Sequence, residues 1–207
     1  MTEDEQTKAG RSPRADAMRN RARLVDAATQ SFAEHGVDAS LEDIARCAGV
    51  GIGTLYRHFP TRDSLVAAVY RNEVDVLCES ADELLASLPP DQALAAWMQR
   101  FVGYVATKRG MASALKSMMG TNTALFEECR RRMNDAATRL LGAAAAAGGV
   151  RSDISATDLL RAMGGICLAT DNADLPEQAR PLVALLLDGL RYGVGAPATA
   201  DRLGAAG

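Results

Sequence analysis

Apolar residues recur every three to four positions almost without a break, and no convincing stretch alternates apolar with polar as a half-buried strand would. That periodicity, punctuated by glycine and proline, points to an all-α chain of about nine helices. The first runs from about Ala15 to His35, with Leu24, Ala28 and Phe32 on one stripe and Val25 beside it. Gly36 stands where a left-handed residue would stop it. Ser40 is placed to cap a short second helix, with Asp43 at the capping-box position and Leu41, Ile44, Ala45 and Ala48 facing inward. Gly49 ends that helix, and a third of two turns follows to Phe59. Pro60 breaks it, and Thr61 caps a long fourth helix through about Ser87.

The clearest later boundary is "LPPD" at 88–91, with Pro90 in the first turn of the fifth helix and Trp97, Phe101 and Val105 spaced four apart behind it. The sixth spans about Met111 to Met119 and the seventh about Thr123 to Ala147, carrying "RRR" at 130–132. Ser155 with Asp158 opens an eighth to about Thr170, and the ninth covers about Glu177 to Tyr192. The Gly/Ala-rich tail from Gly195 is expected to be disordered.

With 207 residues and 48% apolar content the chain can build one large domain or two small ones. No apolar run reaches membrane-spanning length, so no membrane partner is expected. The polar, acidic start "MTEDEQTKAG" is no signal peptide, and a cytoplasmic protein is expected. Cys47, Cys78, Cys129 and Cys167 lie too far apart for metal-ligand spacing, and each sits in an apolar helical context that reads as a small buried hydrophobe. No metal or cofactor is implied. There are two histidines, neither near a carboxylate-rich motif, and neither Gly-x-Ser-x-Gly nor HExxH occurs, so an enzyme is not expected.

Charge is unevenly distributed. The net charge is −3, yet Lys8 to Arg62 holds nine Lys/Arg against six Asp/Glu. Six of those cations fall between Lys8 and Arg23, opposed only by Asp16. A basic front and a mildly acidic back suggest two tasks on one chain.

The front carries "GIGTLYRHFPTRDSL" at 51–65. A nucleotide-cradling loop would need a preceding strand and a third glycine, but a helix precedes it and position 56 is tyrosine. Helix, glycine turn "AGVG", helix is instead the pattern of a helix-turn-helix unit, whose second helix can enter the DNA major groove. Leu55 and Phe59, four apart, can pin the third helix onto Leu24, Phe32 and Ile44, which turns Thr54, Tyr56, Arg57 and His58 largely outward. Thr, Tyr and His can donate to phosphate oxygens, and Arg57 can also reach a base edge. Gly53 removes a side chain where backbone must come close to a partner, and Arg62 adds a cation. Tyr56 can alternatively pack on the fourth helix, and Ile52 can face the core. The arginines at 11, 14, 19, 21 and 23 read either as an arm tracking phosphate or minor groove, or as a solubilising tail.

From about Arg19 to Leu65 the chain resembles the DNA-binding domain of the TetR (tetracycline-repressor-like) family of bacterial transcription regulators. The residues that carry the likeness are "RLVDAATQSFAEHG", "SLEDIARCAGV" and "GTLYRHFPTRDSL". The resemblance implies phosphate and groove contacts at Thr54, Tyr56 and His58, base contacts at Ile52 and Gly53, and backbone contacts at Ser40, Thr61 and Arg62. Arg57 stands at a variable position and is the candidate for specificity. Gly51 departs from the capping serine or threonine often found there, at a cost of only ~0.5 kcal/mol.

The resemblance further implies a layout of 1–14 as a flexible basic arm, 15–62 as the helix-turn-helix domain, 63–194 as an effector-binding and dimerisation domain, and 195–207 as a tail. It implies a homodimer built on the last two long helices, with Ala162, Gly165, Ile166, Leu182, Leu185, Leu186 and Gly189 at the interface. It also implies a pocket for a small-molecule effector, with Trp97, Phe101, Met118, Met119, Phe126, Met163 and Cys167 as candidates. These residues equally suit an ordinary core. The expected function is a ligand-responsive repressor of a palindromic operator in double-stranded DNA. The alternatives are a helical-pocket enzyme and a regulator that acts through protein contacts without a ligand.

Overall fold

The computed structural model describes residues 13–170 and 174–192, and among them every regular element is helical. The order is α1 (Pro13–His35), α2 (Leu41–Cys47), α3 (Ile52–His58), α4 (Arg62–Ser87), α5 (Pro90–Gly110), α6 (Ala112–Met118), α7 (Thr123–Ala146), α8 (Ala156–Leu168) and α9 (Leu175–Arg191). The all-α expectation holds. The proposed tail lies outside the described residues, as does most of the proposed arm.

Local chemistry accounts for the boundaries. Ser40 Oγ accepts from the Asp43 amide at 3.2 Å and Ser155 Oγ from the Asp158 amide at 3.1 Å, so each satisfies one of the unpaired donors at a helix start. Thr61 Oγ1 accepts from the Ser64 amide at 3.1 Å and does the same for α4. At the end of α2 the Val50 amide reaches back to the Ala45 carbonyl (3.0 Å) and the Gly49 amide to the Arg46 carbonyl (2.9 Å). That double closure needs a left-handed residue, and Gly49 supplies it with φ of 65°. Pro13 extends α1 two residues beyond the expected start, so Arg14 stands on a helix and not on an arm.

The chain divides into two compact units: one comprises the chain up to Asn72 together with Thr107–Asn122, the other Glu73–Ala106 together with Thr123 onward. In the first unit Leu24, Ala28 and Phe32 of α1, Ile44 of α2 and Leu55 of α3 are all buried and form one core with Phe59. Arg62 closes this core from the start of α4: its Nη1 donates to the carbonyls of Val37 (2.6 Å) and Ala39 (2.7 Å) in the α1–α2 loop. Gly110 abuts α1 so closely that a Cβ there would lie 2.1 Å from the Phe32 carbonyl oxygen. Lys108 Nζ stands 5.8 Å from the centroid of the Tyr70 ring.

The second unit is stitched by α4, α5, α7, α8 and α9. Trp97 is fully buried and donates its ring N–H to the Leu77 carbonyl at 2.9 Å, which ties α5 to α4. Arg132 pairs with Asp75, and Arg139 with Asp82 at 3.0 Å. Each partner is separated by 57 residues, and the second pair lies one heptad beyond the first on both helices. A constant offset means that α4 and α7 run parallel here. Burial pushes the Cys78 thiol up to about 11, against the opposing pull of nearby Arg132, so it is neutral near pH 7. Cys78, Cys129 and Cys167 are buried as expected, whereas Cys47, the last residue of α2, is exposed.

Two stability predictions follow from these contacts. Gly110→Ala is expected to lower the thermal midpoint, because backbone must shift to admit the methyl, whereas Gly103→Ala on the same helix meets nothing within 4 Å and is expected to raise it by about 2–4 °C. Arg62→Ala is expected to cost about 1–2 kcal/mol, or roughly 3–6 °C, through the two carbonyls left without their donor. Thermal unfolding followed by circular dichroism checks both.

Candidate nucleic-acid interface

α3 has seven residues, too few to be stable as an isolated helix in water, so its existence depends on what it buries. Leu55 is 1% exposed and Phe59, its C-cap, 2%. With these two fastened inward, helical geometry directs the remaining side chains. Tyr56 is 47% exposed and Arg57 is exposed, while Thr54 and His58 are half-buried. Ile52 is exposed at 36%, so it does not join the core. No acidic residue lies on α3, and Arg57 and His58 occupy its last turn.

Ser40, at the start of α2, and Thr61, before α4, are both exposed. Arg62 is half-buried and engaged with the α1–α2 loop, a structural task that its sequence position did not announce. Gly51 is the N-cap of α3 and its carbonyl accepts from the amides of both Thr54 (2.8 Å) and Leu55 (3.2 Å). Gly53 is exposed, has no positive φ, and nothing in the chain lies within 4 Å of where its Cβ would be. Folding therefore does not require glycine there, although a helical glycine costs about 0.5–1 kcal/mol relative to alanine.

Two arginines of α1 help to hold α3. Arg21 lies over the Phe59 ring, 5.2 Å from its centroid. Arg23 occupies the space beside Gly49, where a Cβ would fall 2.3 Å from its Nη2. Their charge was legible in the sequence, but their partners were not. Arg11 lies outside the described residues.

The other candidate residues distribute as follows. Trp97, Phe101, Met163 and Cys167 are buried in the second unit and Phe126 there is half-buried, while Met118 is buried in the first unit. Met119 is 61% exposed and stands apart from that buried set. On α8 and α9, Ala162, Ile166, Leu182, Leu185, Leu186 and Gly189 line one apolar groove of about 570 Å³, and Gly165 is exposed on α8. Leu168 and Leu185 are 83% and 68% exposed on the same two helices. Among the described residues no group of three or more His, Cys, Asp or Glu is placed to hold a metal, and no helix is long and apolar enough to cross a membrane.

These features have counterparts in known proteins. Residues 24–69 match the family described as bacterial regulatory proteins, tetR family, and residues 89–192 match the C-terminal domain of SbtR-like transcriptional regulators. A TetR transcriptional regulator of Streptomyces coelicolor of known structure is 50% identical, covers 83% of this chain and 98% of its own, and superposes with a TM-score of 0.76. A TetR transcription regulatory protein of Mycobacterium vanbaalenii is 32% identical over 86% of this chain and 98% of its own, with a TM-score of 0.69. An HTH-type transcriptional regulator of Staphylococcus aureus is 41% identical over 64 residues, which is 30% of this chain and 35% of that protein. The chain thus matches about a third of the length of such curated relatives, over a segment of the size of the helix-turn-helix region. With both of its parts matched and the fold shared along most of its length, the chain belongs to the TetR family of DNA-binding transcriptional regulators.

Proposed function

We propose that the protein is a ligand-responsive repressor that binds a palindromic operator as a homodimer and leaves it when a small, mostly apolar effector binds. The observation that carries this reading is the outward face of α3. Tyr56 and Arg57 are exposed on a helix with no acidic residue, and Gly53 opens that face where nothing in the chain requires it. Thr54, Tyr56 and His58 contact phosphate, Arg57 reads a base edge, and Ile52 offers an apolar contact such as a thymine methyl. Ser40 and Thr61 donate to the DNA backbone on either side. Arg62 adds a positive field there while its Nη1 serves the fold.

A second copy of the chain covers the α8–α9 groove. Its support is the apolar lining, the exposed Leu182 and Leu185, and the small residues Ala162, Gly165 and Gly189, which let helices approach closely. A two-fold axis then sets two α3 helices on half-sites ~34–36 Å apart. The effector reading rests on the second unit's interior, which among the described residues is mostly apolar, its buried polar groups including Ser80, Thr170, the Tyr104 hydroxyl and the Trp97 ring N–H bonded to Leu77. A ligand lodged among Trp97, Phe101, Phe126, Met163 and Cys167 would meet mostly carbon and sulfur. α4 begins in the first unit and continues into the second, and its 26 residues make a rod of ~39 Å. Effector binding shifts the population toward an arrangement of α4 that no longer fits the operator, provided the effector prefers that state.

Binding to a duplex selected by the protein from a random pool tests the reading. Tyr56→Ala is expected to lose more than tenfold in affinity. Gly53→Ala is expected to weaken binding while leaving thermal stability equal or higher. Failure of the unliganded protein to prefer any duplex at moderate salt would contradict the proposal. Leu185→Glu is expected to convert the dimer to monomer in sedimentation; an unchanged sedimentation coefficient would place the interface elsewhere.

A further inference from the structure

The core contacts of α1 begin at Leu24 and continue through Val25, Ala28 and Phe32, whereas no residue from Arg14 to Arg23 is buried. These ten residues extend the helix by ~15 Å beyond the part the core holds. They carry Arg14, Arg19, Arg21 and Arg23 against the single acid Asp16.

Two of the four arginines are committed to the fold, and both lead to α3. Arg23 fills the space beside Gly49, just before that helix, and Arg21 covers the Phe59 ring, at its end. The basic extension therefore starts against the element that faces DNA. Arg14 lies two turns before Arg21 on the same side of α1. Among the described residues Arg19 pairs with Asp16, one turn away, with both side chains about half exposed. Such a surface pair is worth at most about 1 kcal/mol and opens readily toward a stronger anion.

We infer that this extension is a second DNA-contacting element, which places Arg14 and Arg19 on phosphates flanking the half-site read by α3. The inference rests on the reading of α3 given above. Charge complementarity and continuity with α3 select the occupant: a polyanion with one phosphate per ~1.7 Å of axis can engage cations spread over 15 Å, and the positive end of the α1 dipole adds to the attraction. At 3.4 Å per base pair, the extension spans about four to five base pairs. Arg21 and Arg23 are positioning residues that set its direction.

The experiment titrates the full-length protein with its selected duplex at several salt concentrations, as wild type, Arg14→Ala/Arg19→Ala and Arg14→Lys/Arg19→Lys, after circular dichroism has shown equal helicity. The alanine variant is expected to lower the slope of log affinity against log salt by about 1.8 per protomer, and the lysine variant to retain it. Trimming the flanks of the duplex by about five base pairs is expected to erase the difference between wild type and the alanine variant. An unchanged slope with wild-type binding intact overturns this inference alone. So does a variant that alters self-association and not the slope. If the wild type selects no duplex, the reading of α3 and the inference fail together.

Discussion

The proposed DNA-facing surface depends on the burial of two side chains, Leu55 and Phe59. A helix of seven residues gains little from its own hydrogen bonds, while burying a leucine and a phenylalanine contributes about 1.5–3 kcal/mol each. That burial fixes the rotation of α3 about its axis, and the rotation decides that Tyr56 and Arg57 face outward. Everything proposed about recognition follows from this one orientation. The parts around it restrain it: Gly49 turns the chain into α3, Arg23 packs beside that glycine, Arg21 lies over Phe59, and Arg62 ties the α1–α2 loop to the start of α4.

What could be read from the sequence was local. Caps at Ser40, Thr61 and Ser155 and stops at Gly36 and Gly49 depend on atoms within five residues, and they stand where spacing puts them. The inward stripe of α1 and the pair Leu55 and Phe59 were legible for the same reason, since helical period alone separates them from their neighbours. Contacts between distant segments were not. Nothing near Arg62 in the sequence names the carbonyls of Val37 and Ala39, and nothing near Gly110 names Phe32. Cys47 shows the limit of composition: an apolar neighbourhood suggested burial, but the residue is exposed as the last of a helix only two turns long. Met119 escaped similarly, just beyond the last residue of α6.

The second unit has a different logic. Its interior is mostly apolar, and directional contacts pin its helices to one another, among them the Trp97 hydrogen bond, the Arg191–Asp91 pair between α9 and α5, the Thr157–Asn134 hydrogen bond between α8 and α7, and the two ion pairs one heptad apart between α4 and α7. Those pairs are partly or well exposed, so they contribute more to register than to stability. Apolar packing pinned by solvent-exposed polar pairs suits an element that must hold one arrangement and give way to another. In the proposed mechanism α4 is that element.

Hydrogen exchange with and without the selected duplex tests the central claim most directly. The account predicts that DNA slows exchange of backbone amides in α3 and at the starts of α2 and α4, with no comparable protection in α8 and α9 beyond that of the free dimer. Protection confined to other helices, with α3 exchanging as it does in the free protein, would contradict it.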